Sequence, residues 1–115
     1  MISRILPSFR KAFKSLPKEI QNQAKEAYKI WKKNPFDRTL NFKQIHPSKP
    51  IYSVKVTLNW RALGVREPKN MTTWFWIGSH EEYNKLIKQF NPTTKINLNQ
   101  FLISFSDATD KPDDF

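Results

Sequence analysis

The strongest structural signal in this chain is an uninterrupted run of four large apolar residues, WFWI, at positions 74–77. Because successive side chains of a strand point to opposite faces, a run without polar positions predicts a strand that is covered on both sides. We therefore predict a central strand over residues 71–78. Such a strand needs neighbours at its edges and packing layers on its faces, which the rest of the 115 residues must supply.

Further strands are predicted by alternation and by turn-forming residues. Residues 51–58 alternate apolar and polar side chains, and residues 60–66 follow them after a tight turn. Residues 40–45 precede the turn-forming sequence HPSKP, and residues 1–6 predict a short opening strand that ends before a proline. These segments provide the neighbours that a central strand requires.

Three helices are predicted from apolar periodicity and capping signals. The first is expected to begin with Ser8 as its N-cap, and the second to begin at Pro17, because proline is favoured in the first turn. Their apolar positions recur at helical spacing: Phe9, Phe13 and Leu16, then Ile20, Ala24, Ala27, Tyr28 and Trp31. Ser79 and Glu82 have the spacing of a capping box and predict the third helix.

The order of these elements predicts an α+β fold. An N-terminal strand and a helical hairpin pack on a three- to four-stranded antiparallel sheet, and a short C-terminal helix follows. Aromatic residues make up 14% of the chain. Since aromatic side chains bury large areas, this content favours a packed core over disorder.

Charge divides the chain into two parts. Residues 1–90 contain 18 basic and 6 acidic side chains, a net charge of +12, and form the predicted domain. Residues 91–115 have a net charge of −2 and are predicted to be a partly disordered acidic extension, whose apolar patch adds or covers an edge strand. A domain this basic attracts polyanions. Nucleic acid is the first candidate partner, an anionic membrane surface the second and an acidic protein the third.

Several kinds of site are excluded by composition. The chain has no cysteine, two histidines and two glycines. The sequence therefore offers no disulfide, thiol nucleophile, metal-ligand spacing or glycine-rich nucleotide loop, and we expect neither a metal nor a cofactor. No apolar stretch has the length of a membrane span and no secretory signal is evident, so a cytoplasmic location is expected. The N-terminus lacks acidic residues before Glu19, as organelle transit peptides do, but its helical periodicity favours a part of the domain.

Two stretches of the sequence carry a family resemblance. Lys55 precedes the pair Trp60 and Arg61 in the middle strands, and the sequence FWIGSHEEY occupies residues 75–83. Together with the order of elements, they resemble the RelE/ParE superfamily of bacterial toxins over residues 1–90. The resemblance implies one of two activities: RelE-like members cut messenger RNA in the ribosomal A site without a metal, whereas ParE-like members poison DNA gyrase. Both kinds are silenced by an antitoxin protein.

Three basic residues are candidates for catalysis. By the resemblance, Lys55 and Arg61 occupy places where nuclease members carry basic residues, which stabilise the charged phosphorane. His80, in the first turn of the third helix, is a candidate for proton transfer. Each of the three has an alternative role that is not catalytic. Lys55 is then a solvated strand lysine, and Arg61 belongs to a buried structural ion pair. His80 is then a surface histidine whose neighbours Glu81 and Glu82 disfavour RNA.

Three further residues are candidates for binding RNA. Arg66 and Lys69 flank a strand turn, from which they can contact the RNA backbone. Tyr83 either stacks a base or packs into the core. Glu67 is a weak candidate for a general base, and His46 is interpreted as a turn residue.

We therefore predict the toxin of a type II toxin–antitoxin module that acts as a ribosome-dependent, metal-independent messenger RNA endonuclease. Its expected partners are an antitoxin, the ribosome and messenger RNA. Ser53, Thr57 and Leu58 stand where nuclease members can carry basic residues, and this departure leaves two alternatives open. One is a ParE-like toxin that binds DNA gyrase and is not a nuclease, and the other is an inactive basic module that binds RNA or protein.

Overall fold

The computed structural model describes residues 2–89. The predictions for the acidic extension, including its apolar patch, lie outside these residues. The described fold is α+β, as predicted. In chain order, the elements are β1 Ile2–Ile5, α1 Pro7–Lys14, α2 Lys18–Lys33, a 3₁₀ turn at Arg38–Leu40, β2 Lys43–Gln44, β3 Ile51–Thr57, β4 Trp60–Glu67, β5 Met71–Ser79 and α3 His80–Gln89.

The strands form one sheet in the order β1-β5-β4-β3-β2. Strands β2 to β5 pair antiparallel, which accounts for the predicted three- to four-stranded sheet. β1 adds a fifth strand that pairs parallel with β5, with Ile5 opposite Trp74. A parallel pair needs a long connection between its strands, and here that connection contains both helices of the hairpin.

The helices cover opposite faces of the sheet. α1 and α2 pack on one face, which we call the hairpin face. Its core includes Phe9, Trp31, Val54 and Trp74. α3 packs on the other, which we call the α3 face, where the core includes Leu63, Val65, Phe75 and Tyr83. The predicted central strand β5 therefore has a packing layer on each side.

A bulge in β5 changes what this strand presents to the α3 face. The pairing register shifts after Leu63, which lies opposite Trp76, so that the next pair joins Gly64 to Trp74 and leaves Phe75 between them. Phe75 is buried and Trp76 is half-buried, and both contact the core of the α3 face. A bulge places neighbouring side chains on one face, which simple alternation does not predict.

Two local predictions are wrong. Ser8 does not cap α1, because its hydroxyl donates a hydrogen bond to the carbonyl oxygen of Phe75 at 2.8 Å. The strand predicted over residues 40–45 is shortened to β2. The preceding segment forms the 3₁₀ turn instead, since Asp37 accepts a hydrogen bond from the backbone N–H of Thr39 at 2.9 Å.

The turn between β4 and β5 contains strain that a substitution can relieve. Lys69 is exposed and has a φ of 65°, in the left-handed region that favours glycine. Lys69→Gly is expected to raise the free energy of unfolding by about 0.5–1 kcal/mol. Glycine removes the steric cost of the left-handed conformation, but part of this gain is lost because glycine has more conformational freedom in the unfolded chain. Urea denaturation measures the change. Lys69→Ala removes the same charge but keeps a Cβ, so a gain of equal size in that variant would contradict the explanation.

The turn between β2 and β3 predicts a pH dependence of stability. Nδ1 of His46 accepts hydrogen bonds from the backbone N–H groups of Ser48, at 3.1 Å, and Lys49, at 2.9 Å. Burial and the charge of Lys49 lower the pKa of His46 below its ordinary value of 6.5. His46 therefore binds a proton more tightly in the unfolded chain than in the folded protein. The stability that the neutral ring contributes is complete above pH 6.5 and is lost as the pH falls through the lowered pKa of the folded state.

Denaturation of the wild-type chain and of His46→Ala across this pH range tests the prediction. The difference in stability between them is expected to shrink as the pH falls. A difference that is constant with pH would show that the ring nitrogen does not hold the turn.

Candidate functional site

Lys55 and Arg61 lie directly opposite each other on β3 and β4. Gly78 of β5 is the other cross-strand partner of Arg61, so the three residues form one row across the sheet. Arg61 shares the alternation of Leu63, whose side chain belongs to the core of the α3 face. The row therefore lies on the α3 face, close to the turn that joins β3 and β4.

His80 begins α3 at the same end of the sheet. Its backbone N–H donates a hydrogen bond to the carbonyl oxygen of Asn59, in the β3–β4 turn, at 2.6 Å. Its ring Nδ1 lies 3.2 Å from the side-chain amide nitrogen of Asn84, one turn further along the helix. The structure thus brings the three residues predicted to be catalytic to one end of one face.

The guanidinium of Arg61 holds the β3–β4 turn. Its Nη1 donates to the carbonyl oxygens of Thr57 at 2.5 Å, Leu58 at 3.2 Å and Trp60 at 3.0 Å. These partners are backbone carbonyls, not the carboxylate of the structural ion pair considered as an alternative. Since the same turn accepts the N–H of His80, Arg61 stabilises the segment that positions this histidine.

Lys55 differs from Arg61 in its surroundings. It is half-buried on β3, and its ammonium has no hydrogen-bond or ion-pair partner within residues 2–89. A cation without a partner keeps its full charge for an anionic ligand. Of the two cross-strand residues, Lys55 is therefore the one with a side chain available to bind a phosphate.

Backbone N–H groups at the start of α3 are hydrogen-bonded within the protein. The backbone N–H of Glu82 donates to the hydroxyl oxygen of Ser79 at 3.2 Å, which confirms the predicted capping interaction. The hydroxyl of Ser79 in turn donates to the carboxylate of Glu82 at 3.2 Å. With the N–H of His80 bonded to Asn59, these backbone donors are used within the protein. Two of the backbone donors at this helix start, those of His80 and Glu82, are therefore not available to an anion.

The structure separates Arg66 and Lys69 from this site. Arg66 is five residues beyond Arg61 on β4, about 17 Å at the usual rise of a strand, and alternation places it on the hairpin face. Its guanidinium lies over the rings of Tyr52 and Phe36, 5.1 and 5.7 Å from their centroids. Lys69 lies in the β4–β5 turn at the same remote end. Arg66 and Lys69 therefore lie at the opposite end of β4 from Lys55, Arg61 and His80.

Two other candidates have structural partners. Tyr83 is only 7% exposed, and its hydroxyl lies 3.5 Å from that of Ser53, as the core alternative predicts. A ring buried in this way has no free face for a base. Glu67 accepts a hydrogen bond from the hydroxyl of Thr73 at the remote end of β4, far from Lys55.

Trp76 is a neighbour of the site that the sequence analysis missed. Its indole lies against Gly78, where an added Cβ would come within 2.5 Å of Cζ2. Gly78 is the cross-strand partner of Arg61, so the partly exposed indole lies beside the basic row. The only sequence signal for this contact is the spacing of Trp76 and Gly78, which lie two positions apart on one strand. Alternation places two such residues on one face.

Residues 2–89 contain neither a metal site nor a membrane-spanning helix. This part of the chain contains no group of three acidic or histidine side chains placed to hold a metal ion. None of its helices has the length and hydropathy needed to cross a membrane.

Comparisons with known proteins agree on the fold. The family model of the ParE-like toxin domain matches residues 18–85. The archaeal RelE–RelB complex from Pyrococcus horikoshii OT3 aligns with a TM-score of 0.55 and 16% identity, over 67% of this chain and 91% of that chain. The RelB–RelE antitoxin–toxin complex from Methanococcus jannaschii aligns with a TM-score of 0.59 and 13% identity, over 72% and 96%.

A third structure with this fold is a copper-bound mutant toxin from Helicobacter pylori. It aligns with a TM-score of 0.51 and 18% identity, over 71% of this chain and 98% of that chain. Among curated protein sequences, none is significantly similar to this chain.

Proposed function

Because the chain belongs to the family of ParE-like toxin domains, we propose that it is the toxin of a toxin–antitoxin pair and that it cuts messenger RNA on the ribosome. The observation that carries the nuclease proposal is the cross-strand pair of Lys55 and Arg61 beside the start of α3, where His80 lies. Three basic side chains at one end of one face suit a phosphodiester, whose charge grows in the transition state.

The proposed reaction uses the RNA's own 2′-hydroxyl as the nucleophile. Its oxygen attacks the adjacent phosphorus, its proton passes to solvent, and a cyclic phosphate forms as the bond to the 5′ oxygen breaks. Lys55 stabilises the charge on the phosphorane, because its ammonium is available. His80 donates a proton to the departing 5′ oxygen, since an imidazole exchanges protons readily near neutral pH. Arg61 positions His80 through the β3–β4 turn.

Trp76 is proposed to stack a base of the bound RNA. Its indole is partly exposed beside the basic row and lies against Gly78. Trp76→Ala is expected to weaken binding of a single-stranded RNA about 10-fold or more, because stacking on an aromatic ring contributes about 1–3 kcal/mol per base. Trp76→Phe retains a ring and is expected to lose less. Fluorescence anisotropy with a labelled RNA measures both, and equal losses in the two variants would contradict stacking.

The proposed partner is an acidic antitoxin. Residues 1–90 have a net charge of +12, which favours association with a protein of the opposite charge. The two archaeal relatives of similar fold were solved as complexes of RelE with RelB, which supports this part of the proposal. A target on the ribosome implies action in the cytoplasm.

Primer extension on messenger RNA in a reconstituted translation reaction tests the nuclease. The full chain is added with and without ribosomes, beside His80→Ala and a matched variant, His46→Ala, in the turn remote from the site. We expect discrete cuts that require ribosomes, persist in His46→Ala and are lost in His80→Ala. Intact messenger RNA with the wild-type chain would overturn the proposal.

A second candidate function is the inhibition of DNA gyrase. It is favoured by the exposed carboxylates of Glu81 and Glu82, which follow His80 in α3 and repel a phosphate backbone. In a supercoiling assay with purified gyrase, this alternative predicts inhibition that survives His80→Ala. Cuts in messenger RNA together with unimpaired gyrase would eliminate it.

A further inference from the structure

An open groove of about 570 Å³ lies between α2 and the outer edge of β3. Ala27, Leu40 and Val56 contribute apolar surface to its lining, and Ile30 on its rim is 39% exposed. The charged residues Glu19, Glu26 and Lys55 also line it. Exposed Asn22 of α2 lines the other side. A groove of this size with apolar side chains in its lining offers a further segment a place to pack.

The strand beside the groove has an unpaired edge. β2 pairs only with Tyr52 and Ser53 of β3. Within the described part of the chain, no strand pairs with the outer edge of residues 54–57. An uncovered edge presents backbone N–H and C=O groups that an extended segment can pair with. Groove and edge together suit an extended segment that carries apolar side chains on one face.

The chain's own sequence contains a segment with this chemistry. No charged residue occurs between Lys95 and Asp107, and within that interval Phe101, Ile103 and Phe105 alternate with other residues. Large apolar residues at every second position are typical of a strand with one buried face. The segment thus offers apolar side chains for the groove and, like any extended chain, backbone groups for the edge.

Length and charge allow this segment to reach the groove. Residues 90–100 span up to about 36–40 Å when extended, and the longest dimension of the molecule is 36 Å. The hydroxyl of Tyr83 lies against Ser53, so α3 crosses the sheet toward β3 before the chain continues. The four aspartates that follow the segment, at positions 107, 110, 113 and 114, are attracted by a domain of net charge +12.

We propose that residues 101–105 of this chain occupy the groove and pair with the outer edge of β3. The acidic end that follows then lies over the basic surface of the domain. The chain covers its own sheet edge in this way, and a partner that inserts a strand there has to displace residues 101–105. This inference does not depend on whether the toxin cuts RNA or binds gyrase.

Disulfide trapping in the full chain tests the proposal, because the wild-type sequence has no cysteine. Thr57→Cys, on the edge, is combined in turn with a single cysteine at each position from 101 to 106. Lys11→Cys, exposed on α1, serves as the matched control. Since a disulfide forms only when the Cα atoms are within about 7 Å, we expect intramolecular cross-links with Thr57→Cys that exceed those of the control at least 10-fold.

Every outcome distinguishes the proposed occupant from another. Cross-links between two chains, which increase with concentration, would show that a second copy occupies the groove and would overturn the proposal. Absence of any preference over Lys11→Cys would also overturn it. Amide hydrogen exchange gives a second measurement. The amides of residues 54–57 that point away from β4 are expected to exchange faster in Phe101→Asp/Ile103→Asp, and unchanged exchange at these amides would contradict the pairing.

Discussion

Replacing Lys55 with alanine is expected to slow cleavage of messenger RNA by about 10²–10³-fold, the usual loss when one donor that stabilises transition-state charge is removed. The reason is geometric, because Lys55 lies opposite Arg61 and its ammonium is unpaired within residues 2–89. Single-turnover cleavage on programmed ribosomes measures the rate. Lys55→Arg retains the positive charge and is expected to recover part of the cleavage rate.

The matched control is Lys43→Ala, an exposed lysine on β2 of the same sheet. It removes an equal charge, so it is expected to change the salt dependence of ribosome binding as Lys55→Ala does, but not the rate of the bound enzyme. Equal cleavage rates in Lys55→Ala and Lys43→Ala would indicate that Lys55 is only a solvated strand lysine. Circular dichroism verifies that both variants are folded.

Local signals predicted the elements near this site. The run at residues 74–77 identified β5, and the spacing of Ser79 and Glu82 identified the start of α3. Alternation within β4 also placed Arg61 on the same face as Leu63 and Val65, as the structure has it. These signals depend on residues close together in the sequence, so a pattern of side chains is enough to predict them.

Long-range contacts decided what the sequence analysis did not predict. Ser8 bonds to the carbonyl of Phe75, 67 positions away, and no local pattern distinguishes this from a helix cap. The bulge at Phe75 depends on how β5 pairs with β4, and it turns Trp76 toward the basic row. Arg66 is a candidate for RNA contact because it flanks a turn, but it lies on the same strand as Arg61. The length and alternation of that strand set them on different faces.

The stability of the domain is expected to depend most on Trp31. This residue is 1% exposed at the centre of the hairpin-face core, and its ring meets those of Trp74 and Phe42 edge-on, with centroids 5.2 and 6.0 Å apart. Trp31→Ala removes the largest side chain from a site that the sheet holds open. The free energy of unfolding is therefore expected to fall by about 3–5 kcal/mol.

Two further variants separate packing from the indole N–H. Nε1 of Trp31 is buried and has no hydrogen-bond partner among residues 2–89, and such a group destabilises a fold by about 1–3 kcal/mol. Trp31→Phe removes this N–H as well as part of the ring, so its net cost is expected to stay below about 1.5 kcal/mol. Leu58→Ala, at a side chain that is 72% exposed, is expected to change stability by less than about 0.5 kcal/mol. Urea denaturation followed by circular dichroism ranks the three. A loss in Trp31→Phe as large as in Trp31→Ala would contradict this explanation, in which removing an unpaired N–H offsets part of the lost ring packing.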